Sequence, residues 1–203
     1  MKERHDARKP YRILPEVSSE RRQIMPFGFE QPSTLCSNLV KLAPKATLYY
    51  FGILSSTMHN AWIRTTCGGL KSDYRYSASI VYNNFPWPDL PSNQAPPQAG
   101  RAQDAIETAA QAVLDARAQF PDSSLADLYD PLSMPPALVK AHQKLDSVVE
   151  KAYELGGGRK SYKNDAERVA FLFELYQRYT SLLPTEKAKP RRRAKAGSSP
   201  AAG

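Results

Sequence analysis

Cysteine is scarce: Cys36 and Cys67 are the two in 203 residues. Neither sits in a cluster with histidine, so a zinc site, which needs several such ligands close together, is not expected. The pair reads as stray buried thiols of a cytoplasmic protein. Long hydrophobic runs are missing too, and the longest fall far short of the ~20 residues that cross a bilayer. The opening MKERHDARKP is charged and holds no apolar stretch, so no secretory signal is expected there. There is no P-loop and no HExxH, and no GxSxG turn supports a serine hydrolase. No Gly-rich turn follows a strand, so the usual cofactor cradle is absent. There is no internal repeat.

What is present is positive charge, unevenly placed. Residues 1–95 hold 12 basic and 7 acidic side chains, residues 96–186 hold 10 and 13, and residues 187–203 hold 6 and none. A basic first half and a basic tail therefore flank an acidic middle. Basic surface of this kind suits a polyanion, nucleic acid first, although a solvated surface can be basic for no further reason. The tail KAKPRRRAKAGSSPAAG is expected to be disordered.

The apolar pattern changes along the chain. Phe51, Leu54, Met58 and Trp62 recur at helical spacing, and Gly68–Gly69 makes a plausible stop. This stripe reads as core. SASIVY is rich in strand formers, and Pro86, Pro88 and Pro91 would end any strand after it. PSNQAPPQAG, residues 91–100, has linker composition. Beyond it, residues 101–183 read as helices. One carries Ile106, Ala110, Val113, Leu114 and Phe120 on a face, and a short one follows in SSLADLYDP. A third opens on Pro135–Pro136 and ends at Gly156–Gly158. The last starts with Asn164 and Glu167 in a capping-box arrangement. His142, on a helix beside Lys144 and Asp146, reads as helix surface, and His59 as structural.

The stretch KSDYRYSASIVYNNFPWPDLP, residues 71–91, carries the densest chemistry. Lys71, Asp73 and Arg75 alternate, which puts all three on one face of an extended strand. A Lys donates to O6 and N7 of guanine, and an Asp accepts from the amino group of cytosine. Lys71 and Asp73 thus suit the two halves of one G·C pair, with Arg75 on a further guanine or a phosphate. The plain alternative is a surface ion pair, worth ~0–1 kcal/mol. Asn84-Phe85-Pro86-Trp87 is near the Asn-Pro-Pro-aromatic motif of amino-group DNA methyltransferases, but Phe stands at its second position; the near-match reads as chance. In PEVSSERRQIMPFGF, residues 15–29, Ser18, Ser19, Arg21 and Arg22 are suitable phosphate ligands, the alternative being a polar turn between two strands.

Three blocks in order resemble the C-terminal part of the MmeI family, single-chain restriction–modification enzymes with related DNA methyltransferases. They are PEVSSERRQIMPFGF, FGILSSTMHNAWIRTTCGGLKSDYRYSASIVYNNFPWP and ARAQFPDSSLADLYDPLSMPPALVKAHQKLDSVVEKAY. The first two are similar to the target recognition domain and the third to the helical C-terminal domain. The resemblance implies a parent in which a nuclease, a helical connector and an S-adenosylmethionine-dependent adenine methyltransferase come first. It implies that this chain is the specificity end, with no catalytic residue or cofactor of its own. A truncated gene, a split subunit and a mis-assigned start all fit that.

By alignment of GGLKSDYRYS, the resemblance places Lys71, Asp73 and Arg75 on base-reading positions. PEVSSERR places Glu16 there, and Asn38 and Leu39 follow if no gap intervenes. Arg64 joins Ser18, Ser19, Arg21 and Arg22 as an expected phosphate contact. Gly69 stands where the family often has Arg. The expected fold is α+β: a mixed recognition domain over residues 1–92, a helical domain over 101–183, and a disordered basic tail over 184–203. The expected partner is double-stranded DNA, with no membrane. The alternatives are a module that docks on a separate methyltransferase or nuclease subunit, and a gene remnant without function.

Overall fold

The computed structural model describes residues 11–30, 40–43, 47–70, 73–90 and 96–181. Lys71, Asn38, Leu39, Cys36 and the basic tail fall outside them. The fold is α+β, with two small antiparallel sheets in the first half and helices beyond. In the first sheet, β1 (Tyr11–Pro15) is the centre, between β3 (Gly28–Glu30) and β4 (Val40–Ala43). In the second, β6 (Asp73–Arg75) is the centre, between β2 (Val17–Ser18) and β5 (Gly68–Leu70). Glu16 is the joint, one residue between β1 and β2. Its carbonyl accepts from the Tyr76 N–H at 2.7 Å, which extends the second sheet by one rung.

The stripe from Phe51 to Trp62 forms two helices rather than one. The first, α1, spans Leu48–Leu54, and the second, α2, spans Thr57–Thr66. The break at Ser55–Ser56 follows from competing partners. Ser56 Oγ turns back to the Ile53 carbonyl at 2.7 Å, and the Thr57 N–H is claimed by Asp146 Oδ1 at 2.7 Å. Gly68 and Gly69 follow α2 as expected of a stop, but then pair in β5. Gly52 is where α1 meets the helical half. A Cβ there would lie 2.7 Å from Ile106 Cγ2 and 3.3 Å from Leu145 Cδ1, so only Gly permits this approach.

SASIVY is not a strand. Ala78–Tyr82 form a π-helical turn, with Asn83 N–H donating to the Ala78 carbonyl at 2.9 Å. Side chains hold the turn against the strand propensity of Ile80 and Val81. Ser77 caps its start. Asn84 Nδ2 donates to the Ser79 and Ile80 carbonyls at 2.9 and 3.0 Å, and Trp62 Nε1 to the Val81 carbonyl at 3.1 Å. With its carbonyls satisfied this way, the segment gains nothing by joining a sheet. The strand therefore ends at Arg75, well before the FPWP cluster.

The helical half follows the sequence closely. Helix α3 spans Pro96–Ala118, α4 Leu125–Leu128, α5 Pro136–Leu155 and α6 Asp165–Ser181. The start of α3 is a correction, since residues 96–100 have linker composition. Pro96 and Pro97 fit the first turn, where no backbone donor is needed. Ser124 and Asp127 cap α4 reciprocally, and Asn164 Oδ1 accepts from the Glu167 N–H at 3.0 Å to cap α6.

One hydrophobic cluster runs through both halves, from Leu14 and Phe27 through Phe51, Met58 and Trp62 to Ile106, Leu145, Tyr153 and Leu172. Burial corrects the reading of α5. His142 is 2% exposed, and its Nε2 meets the Tyr129 hydroxyl at 2.7 Å. Asp146 points at α2. The first half packs over His142 and Asp146, while Lys144 between them stays exposed. His59 is buried among Phe27, Phe85 and Tyr76, consistent with a structural role. Among the described residues no helix is long and apolar enough to cross a membrane.

Candidate nucleic-acid interface

The second sheet presents charge outward. Asp73 and Arg75 are exposed on β6 and Tyr74 between them is half-buried, so the two charged residues share the outer face. Val17 pairs with Arg75 and Ser18 with Tyr74 on one side; Gly68 and Gly69 occupy the same rungs on the other. The two glycines leave that flank of the strand low. Leu70 pairs with Asp73, so β5 and β6 are joined through Lys71 and Ser72, which lie outside the described residues.

An open groove of about 570 Å³ runs beside this sheet. Glu16, Lys41, Arg75, Ser77, Ser79 and Ile80 line it. Glu16 has 15% of its side chain exposed and is ion-paired to Lys41, which is 47% exposed. The pairing comes from the sheet: β4 runs antiparallel to β1 with Val40 opposite Pro15, which brings Lys41 near the joint. Lys41 was not singled out from the sequence. Nothing local marks it, since 25 residues separate it from Glu16 and the register alone joins them.

The PEVSSERR residues divide. Ser18 is 4% exposed and its Oγ has no partner among the described residues. Ser19 closes a turn: its carbonyl accepts from the Arg22 N–H at 3.1 Å, and its Oγ from the Arg21 N–H at 3.3 Å. Arg21 is exposed and Arg22 half-buried. Arg64, expected at phosphate, holds the two halves together: its Nε and one terminal nitrogen lie 2.8 and 2.7 Å from Asp165 of α6, and the other donates to the Gln23 carbonyl at 2.8 Å. Asn38 and Leu39, like Lys71, are outside the described residues. Among those residues, no group of three or more His, Cys, Asp or Glu is placed to hold a metal ion.

Residues 1–89 match the family model described as "MmeI, target recognition domain", and residues 99–184 match "MmeI, C-terminal domain". The chain belongs to the MmeI family. MmeI-type recognition and C-terminal domains thus account for both halves of the fold. DNA methyltransferase A of Bacillus subtilis (strain 168) is 41% identical over 168 residues, covering 83% of this chain and 18% of that protein. A solved structure of the Type IIL restriction-modification enzyme MmeI in complex with DNA superposes with a TM-score of 0.76 at 48% identity, covering 86% of this chain and 22% of that one. The chain therefore spans about a fifth of the length of these MmeI-type relatives.

Proposed function

We propose that this chain reads DNA sequence for an adenine-specific DNA methyltransferase of the restriction–modification type. The observation that carries the reading is the outward pair Asp73 and Arg75 on β6, beside a groove that also holds Glu16, in a target recognition domain. Asp73 accepts from a base amino group and Arg75 donates to guanine or phosphate. Lys71, Asn38 and Leu39 complete the base-reading set. Ser19, Arg21 and Arg22 set register on phosphate. Ser18 and Arg64 are assigned to support of that turn, since one is buried and the other is committed to Asp165 and Gln23.

The chemistry belongs to the parent enzyme, with S-adenosylmethionine as methyl donor. Gly68 and Gly69 lie in a strand that continues into β6, not into a helix N-terminus, so they do not form a cofactor turn. No step is assigned to the residues described. A second reading, docking on a separate methyltransferase or nuclease subunit, draws on an apolar groove of about 410 Å³ between α3 and α5, lined by Ala102, Ala105, Val148 and Leu155.

Exchanging the charges, Lys71→Asp with Asp73→Lys, is expected to change the preferred base at one position in a selection from randomised duplexes. Uniform loss across all sequences would refute base reading by this pair. Affinity is expected to fall steeply between 50 and 200 mM salt, as counterions leave with each phosphate contact. A flat response, with capture of a methyltransferase subunit instead, selects the second reading.

A further inference from the structure

We infer that Lys41 is a further specificity-determining residue, forming with Glu16 a second donor–acceptor reader in the groove. This inference rests on the DNA-reading function proposed above. Its starting point is the ion pair itself. The Lys41 ammonium sits on Glu16 Oε1, and both residues line the open groove next to Arg75.

The pair is built to be read from one side. Glu16 is fixed at its backbone by the bond from Tyr76 and is largely enclosed, so its carboxylate has little freedom. Lys41 uses one of its three donors on Oε1, which among the described residues leaves Oε2 as an acceptor and two N–H bonds as donors. A carboxylate accepts from the cytosine amino group, and an ammonium donates to guanine O6 and N7. Side by side, they match the two edges of one G·C pair. The ammonium also solves an electrostatic problem. A lone carboxylate carried toward DNA is repelled by the phosphates on both sides of the groove, whereas a paired one arrives neutral. Phosphate contact alone does not account for the arrangement, because a phosphate-binding Lys gains nothing from a carboxylate that competes for its charge.

The test is a selection from randomised duplexes with the full chain, comparing wild type, Lys41→Met and the exchange Glu16→Lys with Lys41→Glu. Lys41→Met keeps most of the apolar stem and removes the donor. It is expected to lose roughly tenfold or more discrimination at one base-pair position while the other positions keep their preference. The exchange keeps the ion pair and is expected to turn the preferred pair around, from G·C to C·G, at that same position. If Lys41→Met instead weakens all sequences alike and lowers the salt slope by about one, Lys41 is a phosphate contact and the inference fails while the DNA-reading function stands. Unchanged selection by both variants likewise overturns it. If wild type selects no sequence, both the inference and the function on which it rests fall. Lys41 is exposed but Glu16 is largely enclosed, so thermal melting of each variant is needed to separate misfolding from lost recognition.

Discussion

Arg117 spends its charge on neutral oxygens. It is 9% exposed, donates to the Phe27 carbonyl at 2.7 Å, and directs Nε and one terminal nitrogen to the Tyr129 hydroxyl at 2.9 and 2.5 Å. Its guanidinium also lies over the rings of Phe51 and Tyr129, 5.2 and 4.9 Å from their centroids. The Tyr129 hydroxyl is then free to donate to His142 Nε2. One residue of α3 therefore fixes the entry to β3, the end of α4 and the buried histidine of α5. Arg117→Met is expected to cost about 2–3 kcal/mol in urea unfolding, as hydrogen bonds to a charged group are lost. Arg117→Lys recovers little, because a single ammonium cannot reproduce a fork across two acceptors.

At the level of elements, Gly52 governs how closely α1 approaches α3 and α5. Gly52→Ala gains up to ~1 kcal/mol in helix propensity. The added Cβ meets Ile106 Cγ2 at 2.7 Å in a packed core, and overpacking costs ~1–3 kcal/mol. The net effect is expected to be destabilising. Combined with Ile106→Ala, the loss is expected to be smaller than the sum of the two single losses, which a double-mutant cycle measures. Most helices were legible in the sequence because their caps and apolar faces are local: Ser124 with Asp127, Asn164 with Glu167, Pro135 before α5. The elements that were not legible depend on side-chain partners, some of them distant, that no propensity or apolar period records. Asp146 breaks the α1–α2 stripe from 89 residues away, and Trp62 and Asn84 turn Ala78–Tyr82 from strand to π turn. At the interface, the alternation of Asp73 and Arg75 was legible as a strand face. The Lys41–Glu16 pair was not, since only sheet register makes it.

At the scale of the whole molecule, buried titratable groups set the response to acid. Burial lowers His59 and His142 to about 3, with Arg117 adding to the effect at His142. In the unfolded chain both titrate near 6.5. Between these values the unfolded state binds more protons, so each histidine withdraws stability as pH falls from 6.5 toward 3. Asp146 acts in the opposite sense. Burial raises it from 3.8 to about 6, so in that window the folded state binds more protons and stability from this group falls as pH rises. Two histidines outweigh one aspartate, and the protein is expected to lose stability between pH 7 and 4. Asp146→Asn keeps an acceptor for the Thr57 N–H and removes the ionisation. It is expected to be more stable than wild type at pH 7, similar at pH 4, and therefore steeper between them in urea unfolding followed across pH.

The segment that crosses between the halves is fastened on its far side. Tyr153 of α5 donates to the Pro86 carbonyl and Tyr179 of α6 to the Trp87 carbonyl, each at 2.9 Å. Prolines at 86 and 88 contribute no N–H of their own, so these carbonyls are the polar handles by which the crossing is gripped. A chimera that takes its recognition half from one relative and its helices from another inherits the grip only if both tyrosines come with the helices and the crossing keeps its course. Single substitutions within one parent leave this grip in place, whereas a cut at the crossing loosens the joint.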